Sequence, residues 1–299
     1  MNKLTFTIAT LMLVGAMACG NRSESGEARA QQNTETTDAA SATGLEAAQE
    51  GTEADPKPAE AQRPAAGVPA GAQALIDAYP DFIKGYDNGK ILFKDGTSMV
   101  YDDGRKKDFA TMLDDSDLED MFYIKYVEPA GAPEYLADAG RSRSEALFKK
   151  MYGNSSAAVQ KKLVNVPWFG QTVKFTSVNG AAEQLKKVAA ELAQYPELRK
   201  YLKSSGTFYW RTVRGAKRQS AHSYGIAFDI GVDHSDYWLW KNAGAKETDK
   251  IKYANKIPKK IVEIFRKHGF IWGGAWYHYD TMHFEYRPEI LRYAGMSEK

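Results

Sequence analysis

The stretch Ser220-Ala221-His222-Ser223-Tyr224-Gly225-Ile226-Ala227-Phe228-Asp229 places an imidazole seven residues before a carboxylate. Its second half alternates apolar side chains with Ala227 and Asp229. This alternation predicts a strand that turns Asp229 away from the core, and small Ala227 leaves room beside it. Gly225 has the conformational freedom to fold the preceding loop back over that face. The stretch therefore predicts that His222 and Asp229 lie together.

A second stretch near the C-terminus, Asp280-Thr281-Met282-His283-Phe284-Glu285, supplies another imidazole and two more acidic residues. On a strand, His283 and Glu285 share one face, while Met282 and Phe284 take the other. Asp280 then lies at the start of that strand or just before it.

Together the two stretches provide what a hydrolytic zinc site requires. If His222, Asp229 and His283 hold a zinc ion, a fourth position stays open for water. Asp280 is then placed to take the proton of that water as it attacks a carbonyl. Glu285 is expected to orient one of the ligands without binding the metal itself.

A simpler interpretation of the first stretch alone also exists. Buried histidines commonly find a carboxylate partner, so His222 and Asp229 by themselves fit an ordinary hydrogen-bonded pair. The second stretch favours the metal site over this alternative. His278 lies five residues before His283. We expect it not to be a ligand, because three ligands already satisfy a catalytic zinc ion.

The overall composition fits an exported protein with a sizeable core. The chain has 299 residues, a formal net charge of +2 and 43% hydrophobic residues. A charge so close to zero gives no basis for nucleic-acid binding. The single cysteine excludes an internal disulfide or a thiolate cluster, so a metal must be held by histidines and carboxylates.

Residues 1–19 have the layout of a signal peptide. Lys3 is followed by an apolar run from Leu4 to Val14, which is too short to span a membrane. Cys19 follows Ala16-Met17-Ala18 and resembles the lipidated cysteine of bacterial lipoproteins. The alternative is ordinary Ala-x-Ala cleavage that leaves Cys19 unmodified. Lipidation would place the protein in the periplasm or cell envelope, anchored to a membrane by its N-terminus.

Residues 20–70 differ sharply from the rest of the chain. They contain nine acidic and four basic residues and no aromatic residue. Such a segment buries too little apolar surface to offset its ordering entropy, which predicts a disordered linker. We divide the remainder into an N-terminal subdomain of unknown role, residues 71–139, and a domain with the hydrolytic zinc site, residues 140–299.

Several local patterns predict packing elements in these two regions. Asp95-Gly96 between apolar runs predicts a β-hairpin over residues 91–101. Ser142-x-x-Glu145 has the spacing of a capping box that opens a helix. Residues 181–202 have helical spacing, and residues 208–213 have the composition of a strand. The predicted fold class is α+β, with a small antiparallel sheet that carries the zinc site and helices packed on one side.

The pattern Ser220-x-His222-x-x-Gly225-x-Ala227-x-Asp229 followed by Asp280-x-x-His283-Phe284-Glu285 resembles the LAS-type zinc peptidases. This family includes bacterial D-alanyl-D-alanine carboxypeptidases and dipeptidases, and L-alanyl-D-glutamate endopeptidases of bacteria and phages. The resemblance is clearest over residues 205–287. Residues 140–202 resemble the exported carboxypeptidase branch. The family resemblance implies the α+β architecture predicted above, in a hedgehog/DD-peptidase-like fold.

The resemblance also implies roles for individual residues. It implies His222, Asp229 and His283 as zinc ligands and Asp280 as the acid/base carboxylate. An arginine upstream of the motif stabilises the oxyanion in the family, and Arg211 is the candidate here. The alternative for Arg211 is an exposed arginine on a surface strand.

Two further positions of the motif are assigned supporting roles. Ser220 and Glu285 are expected to support the zinc ligands or to contact the substrate. The implied substrates are peptidoglycan stem peptides.

These observations predict a zinc metallopeptidase of the cell wall. A D-alanyl-D-alanine carboxypeptidase is favoured because residues 140–230 resemble that branch most. An L-alanyl-D-glutamate endopeptidase is the main alternative. A non-catalytic zinc-containing cell-wall-binding module is a third possibility, but such a module has no need of a base at Asp280.

Overall fold

The structure, a computed structural model, describes residues 67–296. The predicted signal peptide, Cys19 and nearly all of the predicted linker lie outside the described residues. Within residues 67–296, every helix is too short or too polar to cross a membrane.

Helices and strands alternate irregularly along the described chain. The helices are α1 Ala70–Ala78, α2 Phe109–Asp114, α3 Glu145–Tyr152, α4 Ser156–Gln160, α5 Ala181–Leu192, α6 Trp238–Lys241, α7 Lys259–Lys267 and α8 Pro288–Ala294. The strands are β1 Ile83–Asp87, β2 Lys90–Phe93, β3 Ser98–Val100, β4 Leu163–Trp168, β5 Gln171–Thr176, β6 Ser204–Gly206, β7 Ala227–Ile230, β8 Phe270–Trp272 and β9 His283–Tyr286. Short 3-10 helices connect several of them, and one of these spans Ala221–Tyr224.

The strands form three small antiparallel sheets over residues 67–296, with orders β1-β2-β3, β4-β5 and β6-β7-β9-β8. The mixture of such sheets with short helices confirms the α+β class. The four-stranded sheet carries both motif stretches, since β7 and β9 are its central neighbours. Their register pairs Asp229 directly with His283.

One face of the four-stranded sheet is apolar and covered. Phe228 of β7 packs edge-on against Trp168 of β4, with ring centroids 4.6 Å apart. Phe284 of β9 stacks on Phe265 of α7 at 4.0 Å. All four side chains are buried. Because side chains alternate along a strand, Asp229 and His283 lie on the opposite face, away from this packing.

The N-terminal part of the described chain packs onto the same body. The hairpin predicted over residues 91–101 is confirmed as β2 and β3, and β1 adds a third strand. Helix α1 packs against α8 at the far end of the chain. Residues on both sides of the predicted boundary after residue 139 share one hydrophobic core. The division of the chain into segments otherwise stays a prediction.

Three local predictions differ from the structure. The helix predicted over residues 181–202 ends at Leu192, and a separate 3-10 helix begins at Pro196, because proline cannot continue the helical hydrogen bonding. The predicted strand over residues 208–213 is wrong. The Ser142-x-x-Glu145 capping box is also wrong, since α3 begins at Glu145 with Ser144 as its N-cap.

Candidate metal centre

His222 is positioned by a short, well-anchored turn. It lies in the 3-10 helix Ala221–Tyr224, where the Ser220 hydroxyl accepts a hydrogen bond from the His222 backbone N–H. Gly225 ends this helix with φ of +67°, a conformation that favours glycine. A Cβ at Gly225 would also lie 2.5 Å from a methyl group of Leu163. Glycine is therefore required both for the turn and for its packing.

Asp229 and His283 are brought together by strand pairing. They lie directly opposite each other on β7 and β9, so their side chains project from the same face. Asp229 Oδ1 is 2.8 Å from His283 Nδ1, and Asp229 Oδ2 is 3.2 Å from His222 Nε2. One ligand atom from each of the three residues lies within 4.8 Å of the others. The predicted ligands thus converge on one point.

The outer nitrogen of each imidazole is engaged by an acceptor. His222 Nδ1 donates to the Thr207 carbonyl at 2.6 Å, and His283 Nε2 donates to Glu285 Oε1 at 3.0 Å. Acceptors at these positions fix the tautomers, leaving His222 Nε2 and His283 Nδ1 free to act as ligands. The donor set therefore fits a divalent metal ion held by two nitrogens and a carboxylate.

The charges of the centre also fit a cation. Burial lowers the pKa of His283, but its hydrogen bonds to the Asp229 and Glu285 carboxylates outweigh this and raise it to about 10. Burial likewise opposes the charge of Asp229, yet His222 and His283 hold the pKa of Asp229 well below its usual range. The centre therefore stabilises positive charge. A metal ion would replace the proton shared by the carboxylates and His283.

Asp280 lies beside this group without taking part in it. Its Oδ1 atom is buried and makes no hydrogen bond among the described residues. Its backbone forms a β-bridge with Tyr237, which fixes its position just before β9. Burial, reinforced by Asp229, raises the pKa of Asp280 to about 7, against the opposing charges of His283, His222 and Arg211. A carboxyl group with such a pKa is suited to exchanging protons near neutrality.

Arg211 and Ser220 lie on the rim and wall of the same site. The Arg211 backbone carbonyl accepts from the Ser220 N–H at 3.0 Å, and its N–H donates to Ser223 Oγ at 2.9 Å. These bonds to the turn replace the strand predicted for residues 208–213. The Arg211 side chain is exposed and lines the cavity. Ser220 is buried and caps the turn that carries His222.

All of these predicted residues line one cavity of about 600 Å³. Aromatic side chains form part of its wall: Tyr237, Trp238, Trp240 and Trp276. Two buried arginines of the cavity, Arg141 and Arg143, were not predicted as part of the site. The sequence did offer one signal, the two arginines of Gly140-Arg141-Ser142-Arg143 immediately before an apolar helix. Both are buried, which is unusual for arginine and indicates ion pairing.

A second histidine–carboxylate group lies beside the cavity. Asp138, Glu247 and His278 bring one potential ligand atom each within 4.8 Å of the others. Arg141 Nη1 lies among them, 2.7 Å from Asp138 Oδ2, 2.9 Å from Glu247 Oε2 and 2.8 Å from His278 Nδ1. The Arg141 guanidinium thus occupies the position between these three side chains where a metal cation would have to bind. His278 accordingly lies in the cavity wall, in a different group from His283.

One segment of the chain, which contains most of the site residues, is similar to a known protein family. A family model described as D-alanyl-D-alanine carboxypeptidase matches residues 214–286, about a quarter of the chain. The match contains His222, Asp229, Asp280 and His283, while Arg211 lies just upstream. It confirms the resemblance to the LAS-type zinc peptidases over these residues. Comparison with curated proteins and with solved structures gave no match.

Proposed function

We propose that the chain is a zinc-dependent peptidase that hydrolyses peptidoglycan stem peptides, most readily as a D-alanyl-D-alanine carboxypeptidase. The observation that carries this proposal is the convergence of His222, Asp229 and His283 beside the buried Asp280 carboxylate in one cavity. The family match over the same residues supports it. Two imidazoles and one carboxylate with an open position are the ligand set of catalytic zinc.

The chain's own residues supply the proton transfer and the charge stabilisation. Zinc, when bound, supplies Lewis acidity toward the scissile carbonyl and makes water a better nucleophile at neutral pH. Asp280 takes the proton of the attacking water and delivers it to the leaving amine, a role that suits a buried carboxylate whose Oδ1 atom makes no hydrogen bond among the described residues. Arg211, at the cavity rim, stabilises the negative charge that develops on the carbonyl oxygen.

The role of Arg211 is tested against a neighbouring arginine. Arg214 also lines the cavity and is exposed, so it provides a matched control. Arg211→Ala is expected to lower kcat by about 10²- to 10³-fold, as the loss of one oxyanion donor does. Arg214→Ala should change kcat far less. Equal losses in the two variants would contradict the assignment and favour a general effect of surface charge.

The substrate is tested with defined muropeptides incubated with the purified full chain, with and without a chelator. Products are identified by mass spectrometry. Chelator-sensitive release of free D-alanine supports the carboxypeptidase. Cleavage after L-alanine would instead make the chain an L-alanyl-D-glutamate endopeptidase. A full equivalent of bound zinc without any cleavage would make it a cell-wall-binding module.

The proposal includes export to the cell envelope. Residues 1–19 act as the export signal, and Cys19 becomes lipidated so that the following segment tethers the peptidase to a membrane. Labelling with radioactive palmitate in cells tests this step. Label on the wild type and none on Cys19→Ser is the expected result. Absence of label on the wild type would refute the lipid anchor.

A further inference from the structure

Glu285, behind the metal centre, is held from two sides by arginines. Its Oε1 atom accepts hydrogen bonds from His283 Nε2 at 3.0 Å and from Arg143 Nη1 at 3.1 Å. Its Oε2 atom accepts from Arg287 Nη1, also at 3.1 Å. Three donors thus fix both oxygens of this carboxylate. The orientation of the His283 ring depends on where these donors hold Glu285.

The hydrogen bonding continues away from the cavity into the N-terminal part of the fold. Arg287 Nη1 also donates to the Gly140 carbonyl at 2.7 Å, and Arg287 Nε donates to Glu289 Oε1. The other oxygen of Glu289 accepts a hydrogen bond from the Tyr79 hydroxyl at 2.6 Å. Tyr79 immediately follows α1. An unbroken chain of hydrogen bonds therefore runs from α1 to the imidazole of His283.

Every member of this chain is removed from solvent. Tyr79, Arg287 and Glu289 are 0% exposed and Glu285 is 1% exposed. With Arg143 included, two guanidinium groups balance two carboxylates. Buried charges hold such an arrangement only when each is paired, and removal of one partner disturbs the others. Displacement at Tyr79 should therefore be transmitted along the chain.

The protonation states suit this arrangement. Burial, reinforced by Glu289, raises the pKa of Tyr79 well above its usual value, so its hydroxyl remains a donor. Arg143 and Arg287 pair with the Glu285 carboxylate from two sides, which suits it to accept the hydrogen bond of His283.

We propose that Tyr79 is a positioning residue of the metal centre, acting on His283 through Glu289, Arg287 and Glu285. This gives the segment 71–139, whose role the sequence leaves open, a function in preparing the metal site. Helix α1 packs against α8, whose first turn contains Glu289 and whose N-cap is Arg287. Packing of the N-terminal segment against α8 therefore helps to set the position of the His283 ring. The inference rests on the proposed metal centre.

The test measures zinc affinity of the full chain by competition with a chromophoric chelator. Tyr79→Phe removes only the hydroxyl. Tyr101→Phe is the matched control, because Tyr101 is buried in the same N-terminal segment and its hydroxyl makes no hydrogen bond among residues 67–296. Glu285→Gln should weaken zinc binding by about 10- to 100-fold, as loss of an outer partner of a ligating histidine does. Tyr79→Phe, acting at a distance, should weaken it by at least about 3-fold.

A purely structural role for Tyr79 predicts a different result. It would lower the melting temperature of Tyr79→Phe and leave zinc affinity equal to that of Tyr101→Phe, which would overturn the proposal. The Co²⁺-substituted protein provides a second readout, since a displaced His283 alters its visible absorption spectrum. Should Tyr79→Phe not fold, Glu289→Gln is compared with Tyr101→Phe in the same way. The titration needs no peptide, so failure to cleave muropeptides would refute the proposed activity and leave this inference standing.

Discussion

Two groups of histidine and carboxylate side chains lie at or beside the cavity, one with two imidazoles and one carboxylate and the other with one imidazole and two carboxylates, yet only the first is suited to a metal ion. One ligand atom each of His222, Asp229 and His283 faces a common centre, and within residues 67–296 no arginine or lysine forms an ion pair with Asp229. In the group of Asp138, Glu247 and His278, Arg141 Nη1 contacts one atom of each residue.

The difference shows that residue types alone do not define a metal site. In the first group, outer acceptors on both imidazoles orient the rings so that the inner nitrogens face Asp229. In the second, both nitrogens of His278 are engaged by protein groups, the Nε2 atom by the Glu247 carbonyl at 2.8 Å. The Arg141 guanidinium forms ion pairs with the Asp138 and Glu247 carboxylates. The second group is therefore an ion-pair network that holds the cavity wall.

The largest expected effect comes from removing one histidine from each group. His222→Ala should abolish zinc binding and peptidase activity, because two ligands remain from a set of three. His278→Ala should retain a full equivalent of zinc. Metal content of the dialysed proteins by atomic absorption checks both. Unchanged zinc content in His222→Ala would refute the ligand set. Loss of zinc in His278→Ala would indicate that the metal binds to the group of Asp138, Glu247 and His278 instead.

The next effect separates chemistry from metal binding. Asp280→Ala should lower kcat by about 10²- to 10⁴-fold, the usual contribution of a positioned acid/base group. Zinc content should be unchanged, since the hydrogen bond between Asp280 and His283 uses the Asp280 backbone carbonyl, which the variant keeps, and the side-chain Oδ1 atom makes none among the described residues. Steady-state kinetics with a muropeptide, together with metal analysis of the same sample, provide the measurement. Activity that survives in this variant would show that another group moves the proton.

A smaller effect tests the guanidinium of the second group. Burial raises the pKa of Asp138, but Arg141 outweighs this and holds it at about 2. Arg141→Met leaves the Asp138 carboxylate buried without its guanidinium partner. This change should lower the free energy of unfolding by about 3–5 kcal/mol.

The control for this change is an exposed ion pair, Lys186 with Glu183. Lys186→Met should lower the free energy of unfolding by less than about 1 kcal/mol. Urea denaturation measures both variants. Equal destabilisation by the two would mean that the Arg141 network contributes no more than a surface pair.

The smallest expected effect is that of the metal on stability. With free zinc at about 100 times its Kd, the free energy of unfolding should rise by about 2.7 kcal/mol. For a domain of this size that corresponds to an increase in Tm of about 5 to 10 °C. Thermal denaturation with zinc and with excess chelator measures the difference. His222→Ala should show no difference, and a zinc-dependent Tm in that variant would point to binding elsewhere.

The part of the site that depends on local periodicity could be predicted from the sequence. Alternation along β7 and β9 placed Asp229, His283 and Glu285 on one face, and the glycine requirement placed Gly225 at the turn. These features depend on neighbours within a few residues, so the local pattern specifies them.

The remainder depends on contacts between residues far apart in the chain. Ser142 and Glu145 have capping-box spacing, but the Ser142 hydroxyl hydrogen-bonds with Ser116, and Glu145 accepts from the Gln219 backbone N–H. Arg141 meets Glu247 across 106 residues. Such pairings are set by the packing of the whole fold, and no local spacing reveals them.

The direct pairing of Asp229 with His283 has a consequence for the order in which the protein matures. These two residues are separated by 54 positions along the chain and lie directly opposite each other only in the observed register of β7 and β9. A shift by a single residue would turn one of them to the opposite face. A chain in which β9 has not yet paired with β7 therefore lacks the complete ligand set. Under the proposed function, zinc would bind with full affinity only after this pairing.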